Sequence, residues 1–266
     1  MAPDDLDWFV VPVGEGGALL APGARVALPP AEAQHALKSL RLKAGDPLVL
    51  TDGQGRVARA HVEEAGRRDL VARVDAVEEV PPPARPLWLA AAVVRGPRFD
   101  FVIEKATELG VTGFVPLLTR HSEVRPGAGG EKSDRWRRLT LAAAKQSRRA
   151  WLPEILPPLD LSGVMRRFPG AAAWVAHPEP PAEGRGQPLE AKPDSPSGSG
   201  DSSPGGDLLL TGPEGGWHPA ELEALAGAGA RFVHLGEARL RTETAALALL
   251  VWALARRESL RDRGTP

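Results

Sequence analysis

The apolar pattern of this chain changes character across one short stretch, "EVPPPARP" at residues 79–86, and that change limits the folds open to it. Prolines remove backbone donors and fix φ, so the stretch reads as a stiff, extended linker between two domains. Before it, from residue 8 to 78, apolar residues fall in short alternating runs: "DWFVV", "ARVAL", "DPLVLTDG", "RVARAHVEE" and "DLVARVDAVEE". A period of two marks half-buried strands, so residues 1–78 are expected to form a small antiparallel β-barrel or meander. One helix interrupts it at "PPAEAQHALKSL", where Pro30 suits an opening turn and Ala33, Leu37 and Leu40 recur at helical spacing.

From residue 87 to about 260 the texture is strand, then helix, repeated. "PLWLAAAVV" is a continuous apolar run suited to a strand buried on both faces, and "RFDFVIEKATELG" follows as a helix ending on Gly110. "VTGFVPLLT" predicts a strand and "SDRWRRLTLAAAKQS" a helix capped by Ser133 or Asp134. "LSGVMRRF", "AAAWVAH", "DLLLTG", a helix from Pro219, "RFVHLG" and a long helix from about Thr242 complete the series. Such alternation predicts an α/β domain, a mainly parallel sheet with helices on its faces. The run of Pro, Gly, Ser and acids at 178–206 is too polar and too broken to pack, and is expected to be a disordered insertion.

Several function classes drop out. With no cysteine there is no disulfide framework, thiolate metal site or cysteine nucleophile. The six histidines show no ligand spacing, and neither a serine elbow nor a Walker lysine loop nor a GxGxxG turn is present, so no metal and no ordinary nucleotide site is expected. No window reaches the length of a membrane span, and the acidic start "MAPDDLDWFV" is unlike a secretory signal, which makes the cytosol the expected location. A formal net charge of -1 means that any nucleic-acid surface must be local.

Two glycine-bearing loops lie at carboxyl ends of predicted strands, where open α/β sheets bind ligands. In "TGPEGGWHPAE", residues 211–221, Gly215 and Gly216 permit positive φ and expose backbone amides; a plain tight turn would use them equally well. In "LGEARLRTETAALALLVWALA", Thr242 suits an N-cap and Glu243 the first turn, whereas Arg241 precedes a helix start that disfavours a cation and so suggests an anionic partner. The helix after it is apolar nearly all round, so it must be buried against the sheet or a partner. In "SDRWRRLTLAAAKQSRR", Arg135, Arg138, Lys145 and Arg149 cluster on one side, opposite Trp136, Leu139 and Ala143. With Arg41, Lys43, Arg56 and Arg59 they are candidate RNA phosphate contacts, although a solvated cationic face explains them as well.

Taken in order, "HALKSLRLKAGD" with "DGQG", "KATELGV", "AAAKQSRRAWLPEI", "TGPEGGW" and "LGEARLRTETA" resemble the bacterial 16S ribosomal RNA uridine-N3 methyltransferases of the RsmE type, within the SPOUT superfamily. The resemblance implies a PUA/OB-like β-barrel RNA-binding domain followed by a SPOUT α/β trefoil-knot methyltransferase domain. It further implies S-adenosylmethionine as cofactor, 16S ribosomal RNA of the small ribosomal subunit as substrate, and a homodimer. Residue by residue, it places Ala176, His177, Thr211, Gly212, Glu214, Gly216, Leu235, Gly236, Leu240 and Arg241 around the cofactor. Arg241 would stabilise negative charge on uracil, with Glu243 or Glu214 as base. The chain departs from the family pattern at three places: Lys145 where glutamate is common, Arg148 where glycine is, and His218 in place of a better-capping serine. A non-catalytic RNA-binding assembly factor, or a SPOUT enzyme acting on another RNA, are the competing readings.

Overall fold

The computed structural model describes residues 6–11, 20–127, 129–178 and 205–263, with side chains to 259. Most of the expected insertion at 178–206 lies outside the described residues. The chain divides into two compact units: Met1–Ala84 together with Leu141–Leu152, and Arg85–Thr140 together with Pro153–Pro266.

The first unit is built on a five-stranded sheet. Strands β1 (Trp8–Val10), β2 (Arg25–Ala27), β3 (Pro47–Thr51), β4 (Arg56–Ala65) and β5 (Leu70–Glu79) lie in the order β1-β3-β4-β5-β2. The pairings are antiparallel as expected except at one edge, where β1 runs parallel to β3. Helix α1 (Pro30–Gln34) opens on Pro30 at its first turn and widens into a π-helical stretch, His35–Leu40. That stretch stops at Arg41 in the left-handed region, φ 59, where glycine would be cheaper. Phe9, Val26, Ala33, Leu48, Leu50, Ala60, Leu70 and Val74 form the core. The extended stretch starts later than its composition suggests: β5 stays paired through Glu79, and Val80 N–H still donates to the Gly55 carbonyl at 2.8 Å.

The turn between β3 and β4 explains the "DGQG" motif. Asp52 Oδ1 accepts from the N–H groups of Gln54 and Arg56 at 2.7 and 3.0 Å, which closes the turn. Residues 150–152 then lie directly on the two glycines. Leu152 N–H donates to the Gly53 carbonyl at 2.9 Å, Gly55 N–H to the Ala150 carbonyl at 3.0 Å, and Trp151 Nε1 to the Val80 carbonyl at 2.9 Å. A Cβ on Gly53 would stand 2.5 Å from the Leu152 side chain, and one on Gly55 2.6 Å from the Trp151 ring. These glycines permit a close approach of chain to chain.

The second unit holds strands β6 (Leu87–Ala92), β7 (Gly113–Leu118), β8 (Glu154–Ile155), β9 (Leu159–Asp160), β10 (Ala172–Ala176), β11 (Asp207–Thr211) and β12 (Arg231–Val233). All pair in parallel, in the order β12-β10-β11-β6-β7-β8, with β9 also on β7. β6 and β11 are buried along their whole length, as continuous apolar runs require. Helices α2 (Arg98–Glu108), α3 (Glu131–Gln146, in this unit through Thr140) and α6 (Thr242–Arg263) cover one face around Leu89, Ile103, Trp136, Leu209 and Leu249. Helices α4 (Leu161–Arg167) and α5 (Pro219–Gly227) cover the other, around Val115, Val164, Val175, Leu210 and Leu225. Helix α3 begins at Glu131, so Ser133 and Asp134 sit inside its first turn instead of capping it. One side of α6 packs on β6 and β11. Ala246, Leu249 and Leu250 are buried, but Val251 is 51% exposed, as is Phe101 of α2 at 48%.

At the amino ends of the central strands a buried carboxylate ties three segments. Asp207 is 2% exposed and accepts from Arg85 at 2.7 and 2.9 Å, Arg257 of α6 at 2.7 Å and Trp174 Nε1 of β10 at 3.0 Å. Burial pushes its carboxyl up, but the hydrogen bonds from Arg85, Trp174 and Arg257 outweigh burial and hold it below the usual carboxylate range.

Candidate active site

At the opposite, carboxyl ends of the strands the loops after β10, β11 and β12 are drawn together by specific bonds. β11 and β12 lie on opposite sides of β10, the kind of topological switch at which open sheets place ligands. Trp217 folds back over Gly212, where a Cβ would stand 2.9 Å from the indole, and donates to the Ala176 carbonyl at 3.3 Å. Gly216, φ 75, closes the turn by donating to the Pro213 carbonyl at 2.9 Å. Thr242 then joins the second loop to the first, since its hydroxyl donates to the Gly212 carbonyl at 3.1 Å. Gly236 takes φ 108 with open space where a side chain would be. His177 N–H donates to the Val233 carbonyl at 3.1 Å, which fixes the end of β10.

Two cap assignments change. Thr242 is the first residue of α6 and spends its hydroxyl on Gly212; the helix opens instead on the Arg241 carbonyl, which accepts from Ala245 N–H at 2.8 Å. His218, expected to be the poorer cap, is an effective one. Its Nδ1 accepts from Ala220 N–H at 3.2 Å while Glu221 accepts from His218 N–H at 2.9 Å, a reciprocal capping box. Glu221 also accepts from Arg120 N–H at 2.9 Å, and His121 Nδ1 is 3.1 Å from the Gly216 carbonyl, so the loop after β7 is part of the assembly.

The polar groups left over are informative. Among the described residues, four buried side-chain polar atoms have no hydrogen-bond partner: Trp8 Nε1 and Thr140 Oγ1 elsewhere, and Thr211 Oγ1 and Glu243 Oε2 here. An unsatisfied buried polar atom is costly and calls for an explanation. Both belong to this assembly, Thr211 ending β11 and Glu243 in the first turn of α6. They suit a polar ligand that also enters the open space beside Gly216 and Gly236. Leu235 and Leu240 are half-buried and supply apolar wall, while Arg241 is exposed. Glu214 turns outward to form an ion pair with Arg98, and its carbonyl accepts from Arg239 at 3.3 Å.

The candidate RNA contacts scatter. Arg41, Lys43 and Arg138 are exposed. Arg135 is exposed but pairs with Asp100 at 2.7 Å. Lys145 is engaged within the first unit: both oxygens of Glu32 hold its ammonium, at 2.7 and 3.0 Å, with side-chain exposures of 20% and 8%. Arg149 is half-buried, and burial pulls its guanidinium down to about 10. Arg148 adopts φ 56, the left-handed backbone that the family's glycine would take without strain. The periodicity that grouped Lys145 and Arg149 with Arg135 and Arg138 could not register these packing partners. Arg98 and Arg239 were missed, although Arg98 carries the signal that drew attention to Arg241, a cation at a helix start.

Residues 81–254 match the model of an RNA methyltransferase domain, and residues 28–75 that of an RNA methyltransferase PUA domain. The ribosomal RNA small subunit methyltransferase E of Mycobacterium bovis is 38% identical over 226 residues, 82% of each chain. The chain belongs to the ribosomal RNA small subunit methyltransferase E family. The Synechocystis member of that family is 34% identical over 84% of this chain and 70% of its own. The crystal structure of the Neisseria gonorrhoeae ribosomal RNA small subunit methyltransferase E bound to S-adenosyl methionine is 26% identical, with a TM-score of 0.76 over 92% of this chain and 95% of that one. The fold class of methyltransferase E, a SPOUT α/β domain behind a PUA domain, is therefore the one that the sequence motifs imply.

Proposed function

We propose that this protein transfers a methyl group from S-adenosylmethionine to N3 of a uridine in 16S ribosomal RNA of the small ribosomal subunit, acting as a homodimer in the cytoplasm. The observation that carries the reading is the pair of orphaned buried atoms, Thr211 Oγ1 and Glu243 Oε2, in a family of RNA methyltransferases. Thr211, the loop 212–217 and the loop 234–241 hold the cofactor, which supplies an electrophilic methyl group on sulfur.

Neutral uracil carries a proton on N3 and is a poor nucleophile until that proton leaves. Glu243 takes it. Its Oε2 is unpartnered, whereas Glu214 is engaged by Arg98, so Glu243 is the better candidate for the base. Arg241, exposed at the start of α6, stabilises the negative charge that develops on the uracil oxygens. The base must leave its stack to present N3, which single-stranded or loop RNA permits most easily. Support for the dimer comes from Phe101 and Val251, large apolar side chains exposed on neighbouring helices.

Incubation with labelled S-adenosylmethionine and undermethylated small subunits should place label in 3-methyluridine after digestion; its absence from that nucleoside would falsify the assignment. Arg241→Ala should lower kcat about 100-fold or more while changing cofactor affinity much less. An unchanged turnover removes Arg241 from the mechanism.

A further inference from the structure

Among the described residues, the loops at the carboxyl ends of the parallel sheet and the first turn of α2 carry Arg95, Arg98, Arg120, Arg125, Arg239 and Arg241 beside Glu123, Glu214 and Glu237. Three of these arginines are held in a particular way. Arg98 occupies the first position of α2, where the helix dipole disfavours a cation, and its guanidinium pairs with Glu214; the two side chains are 37% and 49% exposed. Arg239 brings a second guanidinium to the same residue through the Glu214 carbonyl. Arg95 pairs with Glu123 at 3.0 Å, with exposures of 74% and 65%. Glu123 sits two residues beyond His121, which contacts Gly216 in the same turn as Glu214.

Pairs this exposed contribute little, because water competes for both partners. A phosphodiester presents the charge of a carboxylate and a similar pair of acceptor oxygens, so it can replace a glutamate on a guanidinium fork. We propose that Arg95, Arg98 and Arg239 seat the RNA phosphates flanking the target nucleotide, and that Glu123 and Glu214 occupy this seat until RNA displaces them. The inference rests on the RNA methyltransferase reading above. It adds that substrate arrival and release of the Glu214 turn are one event, since the phosphate that takes Arg98 frees the side chain of a cofactor-loop residue.

The test is the salt dependence of binding to undermethylated small subunits, measured by filter retention between about 50 and 200 mM KCl, a range over which phosphate contacts dominate affinity. Each phosphate contact to single-stranded RNA contributes about 0.7 to the slope of log K against log salt. Arg95→Ala, Arg98→Ala and Arg239→Ala should each flatten the slope by about that amount. Arg98→Lys should keep it, because the charge remains. Glu123→Gln should act in the opposite sense and tighten binding at low salt about two- to five-fold, the range expected for releasing an exposed pair. Calorimetry with S-adenosylmethionine on Arg95→Ala, whose partner Glu123 lies outside the cofactor loops, giving wild-type affinity, shows that those loops are intact in that variant. Wild-type slopes in all three alanine variants would overturn the phosphate seat, and unchanged affinity in Glu123→Gln would overturn the occupied-seat half of the proposal. Failure of the wild-type protein to bind the subunits would overturn the RNA methyltransferase reading together with it.

Discussion

Thr211→Val separates a ligand site from an ordinary buried strand end, because the two readings give it different signs. Thr211 is 1% exposed and its hydroxyl has no partner among the described residues. A buried hydroxyl left unsatisfied costs about 1–3 kcal/mol. Valine puts a methyl group of similar shape in its place, so the ligand-free protein should gain about 1–2 kcal/mol. In a unit of this size that raises Tm by about 2–4 °C per kcal/mol. In the bound state the hydroxyl has its partner, so the substitution removes a bond and relieves nothing. The binding free energy should therefore weaken by about 2 kcal/mol, roughly a 30-fold rise in Kd for S-adenosylmethionine. Scanning calorimetry of the free protein and titration calorimetry with the cofactor read the two halves independently. A variant that is less stable, or that binds the cofactor as tightly as wild type, refutes the argument.

Asp207→Asn leaves two guanidiniums facing a neutral amide and should destabilise the second unit by about 3–5 kcal/mol in urea titrations at neutral pH. The Asp207 carboxyl is held below its ordinary 3.8, so its contribution is present above that value and is lost as pH falls through the lower folded value. The gap between wild type and Asp207→Asn should thus close below about pH 4, and a gap independent of pH would contradict the ion-pair account. Gly55→Ala would set a Cβ 2.6 Å from the Trp151 ring and 2.7 Å from the Val80 carbonyl at φ 103, and should cost about 2–4 kcal/mol. Hydrogen exchange should locate the loss in β3, β4 and residues 150–152; uniform protection across the first unit would argue against a close-packing role for the glycine.

Local periodicity carried much of the architecture. The alternating runs became β3, β4 and β5, and the continuous apolar runs became the fully buried β6 and β11, because burial on one face or two writes itself directly into side-chain spacing. What local spacing cannot encode is partnership at a distance. The parallel edge pairing of β1, the glutamate that holds Lys145 and the chain that lies on Gly53 and Gly55 are each set by residues far away in sequence. The cofactor loops were legible as loops lacking side chain, but their ligand came only from the ordered motifs. The cap at His218 is not legible in the sequence because it depends on the orientation of the imidazole ring, which composition does not reveal. Arg98 was available to sequence reasoning and was overlooked because its helix begins without an obvious side-chain cap.

Helix α3 crosses from one unit to the other, and the first unit is completed by Leu141–Leu152. During synthesis the turn that bears Gly53 and Gly55 leaves the ribosome without the segment that covers it. Roughly 70 residues separate Ala84 from Leu152, which at about 5–20 residues per second is an interval of several seconds. A fragment ending at Ala84 would reproduce that nascent state permanently, with Trp151 and Leu152 missing from their seats. The N-terminal unit therefore cannot be moved between proteins as a self-sufficient cassette, and its folding clock is set by a stretch of chain encoded well inside the methyltransferase domain.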